Sequence, residues 1–177
     1  MWSGLTSQDW RAGRSVGVRD VSEALVAEGP DPELREELAL FGQFVGSWEL
    51  ECIEYAPDGT SETRSGEWHF GWALGGRAVV DVWILPGVEH GISVRFYDAE
   101  LGAWRSTWIG PQRRRVQAFI ARETASGIEL SGEDAEGRPL RWVFSEIRQT
   151  SFHWANECFE DGAWKRRQAM RCWRPPK

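Results

Sequence analysis

The chain of 177 residues is 41% hydrophobic and 27% charged, which fits one globular domain and excludes a disordered chain. Its formal net charge of −6 argues against broad binding to nucleic acids or anionic membranes. The sequence contains neither an apolar run of about 18 residues, as a membrane span needs, nor the pattern of a secretory signal at its start, so we expect a cytoplasmic protein.

Tryptophan is the residue that stands out, with 12 copies. Large amphipathic rings in this number suit a wide aromatic interior or a ligand-binding surface. A small β-protein also fills a dry core with large side chains, and composition leaves both interpretations open.

Residues 1–44 are predicted to form an N-terminal arm that packs on the rest of the chain or plugs it. Residues 1–19 carry a weak pattern and are interpreted as a tail or a strap. Residues 20–29 predict a short helix, and residues 32–44 predict a second one that follows the capping residue Asp31. The apolar stripe of the second helix consists of Leu34, Leu38 and Phe41.

Residues 45–177 are predicted to form an all-β domain of about ten short strands with turn residues between them. The predicted strands are 46–55, 62–73, 77–85, 91–97, 103–109, 113–123, 127–133, 139–147, 151–159 and 164–173. Because no long crossover separates them, pairing of the first strand with the last is the simplest way to remove the sheet edges. We therefore expect an antiparallel up-and-down β-barrel of eight to ten strands, which has room for side chains or one small ligand.

The alternation of side chains along each strand predicts which of them face the barrel interior. In the last strand Lys165, Arg167 and Arg171 occupy odd positions, so the even positions are assigned to the interior. The same reasoning on the other strands predicts a cavity lined by Trp68, Phe70, Trp108, Trp142, Trp154 and Met170, with Asn156, Gln168 and Arg166 as polar anchors. A buried amide without a partner is costly, so each amide needs the other, water or a ligand.

Two further charged residues lie on strands whose two faces are both largely apolar. If Asp81 and Arg95 point inward, they are buried charges and need a partner. They then satisfy each other, or Arg95 receives an acidic ligand; an outward placement of both is the alternative. We include both among the candidate ligand-binding residues.

Several short motifs follow one another in order over roughly residues 40–174. They are Phe44-Val45-Gly46-Ser47-Trp48, Leu74-Gly75-Gly76-Arg77 followed by Asp81, Ser93-Val94-Arg95-Phe96-Tyr97-Asp98, Trp104-x-x-x-Trp108, Phe152-His153-Trp154, Asp161-Gly162-Ala163-Trp164 and Trp173-Arg174. In this order and spacing the chain resembles the lipocalin-like proteins of the calycin superfamily. Within that superfamily it resembles the bacterial DUF1579-type family of unknown function.

The resemblance implies a cup for a small, mostly apolar molecule, closed by a structural contact between the Trp of Gly-x-Trp and an Arg at the end of the last strand. In this sequence those residues are Trp48 and Arg174, which implies a cation–π contact. Haem-binding barrels of the superfamily extend the first motif to Gly-x-Trp-x-Gly. Leu50 replaces the second glycine here, so that subgroup is not supported.

No motif for catalysis or for a cofactor accompanies the predicted barrel: a phosphate loop, a dinucleotide fingerprint and a nucleophile elbow are all missing. His69, His90 and His153 lie on different strands or loops, so we expect no metal, although a single axial histidine for haem stays an alternative. Cys52, Cys158 and Cys172 are odd in number and lack metal-ligand spacing, so we expect free thiols that serve in packing. We therefore expect no cofactor and a colourless protein.

Two functions remain open from the sequence. The first is binding of a small hydrophobic or aromatic ligand in the barrel. The second is a cofactor-free cyclase or isomerase, of the kind used in secondary metabolism, that folds a flexible substrate in the same cavity. We expect neither a nucleic acid nor a membrane as partner. A homodimer, or a partner contact through Trp2 and Trp10, is a third interpretation of the N-terminal arm.

Overall fold

The computed structural model describes residues 20–176, and most of them belong to a closed antiparallel β-barrel. A short helix α1 (Val21–Leu25), a short strand β1 (Val26–Ala27) and a helix α2 (Arg35–Gly42) precede the barrel. The ten barrel strands are β2 (Gly46–Tyr55), β3 (Ser61–Ala73), β4 (Ala78–Leu85), β5 (Glu89–Asp98), β6 (Ala103–Gly110), β7 (Arg115–Thr124), β8 (Gly127–Glu133), β9 (Pro139–Ser145), β10 (Ser151–Glu160) and β11 (Ala163–Trp173). Each lies within about two residues of a predicted strand, and the predicted fold class is confirmed.

The barrel closes between its first and last strands, as predicted. Strands consecutive in sequence pair from β2 to β11, and β2 pairs with β11 from Glu49 opposite Trp173 to Glu54 opposite Gln168. Every barrel strand therefore has a neighbour on both sides, and the ring has no open edge.

The helix predicted over residues 20–29 is shorter in the structure. It ends at Leu25, and Val26 and Ala27 pair with the end of β3 instead. The physical reason is twofold: α1 buries none of its side chains, so nothing holds a longer helix, and β3 extends beyond the start of β2, which leaves its last residues free to pair. Among residues 20–176, no helix is long and apolar enough to cross a bilayer.

Helix α2 covers one end of the barrel, which we call the floor. A 3₁₀ turn begins this segment at Pro32, one residue after the N-cap Asp31, and the α-helix proper ends at Gly42, two residues before the predicted end. Leu38 and Phe41 are fully buried, and the Phe41 ring meets Trp104 edge to face at 4.9 Å between centroids.

A cation–π contact holds the floor from outside. The Arg174 guanidinium lies 3.7 Å from the centroid of the Trp48 ring and donates to the carbonyl oxygen of Val45 at 2.9 Å, so the contact expected from the resemblance is confirmed. Only glycine suits position 46, because its φ is +115° and an added Cβ would lie 2.4 Å from the Arg174 guanidinium.

The other end, which we call the mouth, carries the hairpins β2–β3, β4–β5, β6–β7, β8–β9 and β10–β11. No helix among the described residues packs across these hairpins. The mouth is therefore the end at which a molecule can approach the barrel interior.

Candidate functional site

Five tryptophans form a continuous chain of rings in the middle of the barrel. Centroid distances along it are 5.5 Å between Trp83 and Trp108, 5.9 Å between Trp108 and Trp142, 5.2 Å between Trp142 and Trp154, and 6.1 Å between Trp154 and Trp68. All five are at least nine-tenths buried. Tilted and edge-to-face contacts of this kind stabilise aromatic clusters beyond the burial of their area.

The tryptophan chain borders an inner cavity of about 30 Å³. Its lining is Trp68, Trp83, Glu89, Trp108, Arg113, Arg115, Gln117, Trp142, Trp154, Asn156, Gln168 and Met170. This volume holds one or two water molecules, since a single water needs ~10–15 Å³. The inner cavity is thus much smaller than the usual ~300–1,000 Å³ of a ligand pocket, because the indole rings themselves fill the barrel.

A wider cavity of about 570 Å³ lies at the mouth and has the volume of a small-molecule site. Its walls come from the β2–β3, β6–β7 and β8–β9 hairpins and from β10 and β11, and they are largely polar and charged. The two cavities share Arg113, Arg115, Gln117, Asn156 and Gln168, so they adjoin each other. A molecule in the mouth therefore lies next to the tryptophan chain.

A chain of hydrogen bonds connects the inner cavity with the rim. Asn156 Nδ2 donates to Gln168 Oε1 at 3.3 Å, and Gln168 Nε2 donates to Glu54 Oε1 at 2.8 Å. Because a carboxylate only accepts, Glu54 dictates the orientation of the Gln168 amide and, through it, that of Asn156. Arg113 Nη2 donates to the same Glu54 oxygen at 2.6 Å. Since β2 lies opposite the β6–β7 hairpin in the ring, this ion pair spans the mouth.

Four buried polar atoms of the inner cavity's lining residues have no hydrogen-bond partner among the residues that the structure describes. They are Nε1 of Trp83, Trp142 and Trp154, and Oδ1 of Asn156. A buried donor or acceptor left unpaired costs about 1–3 kcal/mol, so water or a ligand is expected to satisfy them. These four atoms are three N–H donors and one carbonyl acceptor.

Asp81 and Arg95 both point inward and form a fully buried ion pair with each other. Trp68 Nε1 donates to the second Asp81 oxygen at 2.6 Å, and the Arg95 guanidinium lies 5.1 Å from the Phe41 ring centroid. Burial lowers the pKa of Arg95 to about 9, so it stays cationic at neutral pH. The pair joins the floor to the tryptophan chain, and neither residue lines the inner cavity; nor does Phe70, which packs against Trp68.

The inward placement predicted for Arg166 is wrong. Asn156 lies opposite Gln168 but Glu157 lies opposite Arg166, so Arg167 is an extra residue in a β-bulge. The bulge reverses the alternation towards the mouth. Arg166 therefore reaches Glu157 on the outer surface at 2.9 Å, and Arg167 lines the mouth in its place. Trp164, also assigned to the interior, lies outside under the Arg141 guanidinium.

Several lining residues were not identified from the sequence. Trp83 shares a strand face with Asp81, and the sequence leaves open whether that face points inward. No sequence pattern marks Glu89, which follows a turn. Arg113 and Arg115 belong to a run of three arginines whose position predicts a solvated turn. Glu89 is only 3% exposed, and its carboxylate accepts from the backbone N–H groups of His90, Gln112 and Arg113 at 3.2–3.3 Å, which ties the β6–β7 hairpin to β5.

The cysteines and histidines form no reactive or metal-binding group within residues 20–176. Burial raises the pKa of Cys52 to about 12 and that of Cys158 above its ordinary value, which keeps both thiols protonated and unreactive at neutral pH. His69 bonds to Glu67 and His153 to Glu146, both on the outer surface.

Comparisons with known proteins support the fold. No protein-family model and no curated protein matches the sequence. The structure is similar to the crystal structure of Rv2717c from M. tuberculosis, with a TM-score of 0.54 and 13% sequence identity over 83% of this chain and 99% of that one. At this identity the likeness shows the fold alone, a closed antiparallel barrel of ten strands.

Proposed function

We propose that the protein binds a small, largely apolar or aromatic molecule that enters at the mouth, packs its apolar part against the tryptophan chain and directs a polar end to the inner cavity. The observation that carries this proposal is the set of unpartnered buried atoms on the inner cavity's lining residues: three indole N–H groups and the Asn156 carbonyl. Natural cores pair nearly all their buried polar groups. Four such atoms on residues that line one cavity therefore favour a ligand that carries an oxygen atom.

The candidate ligand-binding residues follow from this geometry. Trp108, Trp142, Trp154 and Met170 supply apolar contact area, and Asn156 and Gln168 supply directional hydrogen bonds. Trp68 adds its ring face while its N–H remains engaged with Asp81. Aromatic walls with a few polar groups are the usual composition of small-molecule sites.

A matched pair of neutral probes tests the proposal: 2-acetylnaphthalene, which carries a carbonyl oxygen, and 2-ethylnaphthalene, which has the same shape without it. We expect both to quench the tryptophan fluorescence, and the ketone to bind about fivefold more tightly, as one added hydrogen bond provides. The variants Trp142→Phe and Trp154→Phe keep an aromatic ring but lack the N–H, so each should reduce that preference.

The control variant is Trp164→Phe, which changes a tryptophan on the outer surface and should leave both affinities unchanged. Absence of saturable binding by either probe, together with inner-cavity waters as the sole partners of the indoles in a crystal structure, would contradict the proposal.

A cofactor-free cyclase or isomerase is the second candidate, and Glu89 is the observation that favours it. This carboxylate is 3% exposed and lines the inner cavity beside the indoles. There it can accept a proton from a bound substrate, and hydrogen bonds from three backbone N–H groups hold the carboxylate in place. If a molecule that co-purifies with the protein is recovered unchanged after prolonged incubation with it, this candidate is rejected.

The protein family, the class of partner, the cellular location and the oligomeric state belong to the same proposal. The Trp48–Arg174 contact and the closed barrel support a DUF1579-type lipocalin-like protein, and the formal charge of −6 supports a small-molecule partner over a nucleic acid. Location in the cytoplasm and a homodimer stay predictions, as does the role of Trp2 and Trp10, which lie outside the described residues. Native mass spectrometry measures bound ligand and oligomeric state together.

A further inference from the structure

The arginines at the mouth differ in whether they are neutralised. Arg113 pairs with Glu54 across the mouth. Arg138 pairs with Asp134, Glu136 and Glu160, and Arg167 pairs with Glu160 as well. These three guanidinium groups therefore already have carboxylate partners.

Arg114 and Arg115 have no side-chain hydrogen bond and no ion pair in the part of the chain that the structure describes, and both line the mouth. Arg115 also lines the inner cavity. Arg114 adopts a left-handed backbone conformation, with φ of +53°, at the turn before β7. Glu133 is the one acidic residue of the mouth lining without an ion pair, so the unpaired charges there are two positive and one negative.

The charged groups also differ in burial. The Glu89 carboxylate is buried against the inner cavity, where it disfavours a second anion beside it, whereas Arg114 and Arg115 are exposed. The unpaired guanidinium groups lie at the rim. An anionic group is thus favoured at the rim, while the inner end of the same molecule meets the unpartnered indole N–H groups, which suit a neutral oxygen or the face of an aromatic ring.

We infer that the physiological ligand carries, besides the inner oxygen of the proposed function, an aromatic ring that packs against the tryptophan chain and a carboxylate that binds Arg115 at the rim, assisted by Arg114. The guanidinium fork matches a carboxylate geometrically, and a charge-assisted pair of this kind is stronger than a neutral hydrogen bond. The inference rests on the proposed function and adds the ligand's charge and orientation to it.

Three matched probe pairs test the inference by calorimetry: benzoate, 2-naphthoate and 9-anthracenecarboxylate, each beside its neutral methyl ester. We expect at least one acid to bind about tenfold more tightly than its ester at low salt, and the difference to shrink as KCl is raised, because exposed charges are screened. Arg115→Gln should abolish most of the difference in affinity between the acid and its ester. Arg115→Lys should retain part of it.

Arg122→Gln is the matched control, since Arg122 is an exposed arginine on the same strand at the floor end. Equal binding of acids and esters overturns the inference and leaves the proposed function standing. A preference for the acid that persists in Arg114→Gln/Arg115→Gln also overturns it, because the charge is then recognised elsewhere. Binding of none of the six probes overturns the proposed function and the inference together.

Discussion

Arg174 shows how much one residue beyond the last strand contributes to the barrel. Its guanidinium covers the Trp48 ring and donates to the carbonyl oxygen of Val45, while Trp48 Nε1 donates to the carbonyl oxygen of Phe44 at 2.7 Å. The cation, the ring and the start of β2 thus form one unit, and β2 begins at Gly46, whose φ of +115° favours glycine.

Replacement of this cation should weaken the whole fold. We expect Arg174→Ala to lower the free energy of unfolding by about 1–2 kcal/mol, because it removes a cation–π contact and leaves a carbonyl oxygen unpaired. Urea unfolding monitored by circular dichroism measures this. Arg171→Ala is the control, since Arg171 is exposed and makes no side-chain ion pair within the described residues; an equal effect of the two substitutions would contradict the role of the stacked contact.

At the scale of elements, the bulge in β11 builds a network on the outer surface. By shifting Arg166 outward, it completes a ladder across four strands, in which Arg141 lies between Glu129 and Glu157, and Glu157 also binds Arg166. Burial tends to raise the pKa of Glu157, but the hydrogen bonds from both arginines outweigh it and hold the pKa below its ordinary value of 4.5.

Because of this lowered pKa, the contribution of the ladder to the free energy of unfolding depends on pH. A carboxylate whose pKa is lower in the folded state contributes stability above 4.5, and that contribution is lost as the pH falls through the folded-state value. We expect Glu157→Gln to cost about 1 kcal/mol at pH 7, a modest value because its arginine partners are partly exposed. The difference from wild type should vanish at a pH well below 4, whereas Glu123→Gln should show little effect throughout; a difference independent of pH would reject the ladder's electrostatic role.

At the scale of the whole molecule, the two ends of the barrel are unequal. Helix α2 packs Leu38 and Phe41 into the floor, whereas among residues 20–176 only side chains such as the Glu54–Arg113 ion pair cross the mouth. Because this pair joins opposite walls of the mouth and Arg113 also lines the inner cavity, we expect it to restrict access to the tryptophan chain.

Loss of the ion pair should ease entry. We expect Glu54→Gln to raise the association rate of 2-acetylnaphthalene a few-fold in stopped-flow fluorescence, because the neutral amide holds Arg113 less firmly. Glu62→Gln is the control: Glu62 lies directly opposite Glu54 on β3 but pairs with Arg64 of its own strand. An unchanged rate in Glu54→Gln would show that the ion pair does not limit entry.

The sequence by itself determined the strands, their order and the closure of the barrel. These features follow from the turn residues and from the alternation of inward and outward side chains along each strand. Both depend on a few neighbouring positions and not on how the side chains pack. The inward aromatics of β9 and β10, Trp142 and Trp154, were identified for the same reason, and the motif ending at Trp48 pointed to its contact with Arg174.

Only the tertiary structure decided the rest of the site. One inserted residue in β11 reverses the alternation and moves Arg166 outside, and no local pattern marks it. Asp81 and Arg95 could be placed only once their strands were seen side by side, with each charge within reach of the other. Glu89 and the arginines of the β6–β7 hairpin lie at the mouth because hairpins distant in sequence converge there. The size of the cavity depends on how five indole rings share one interior, which is a property of their packing and not of any strand alone.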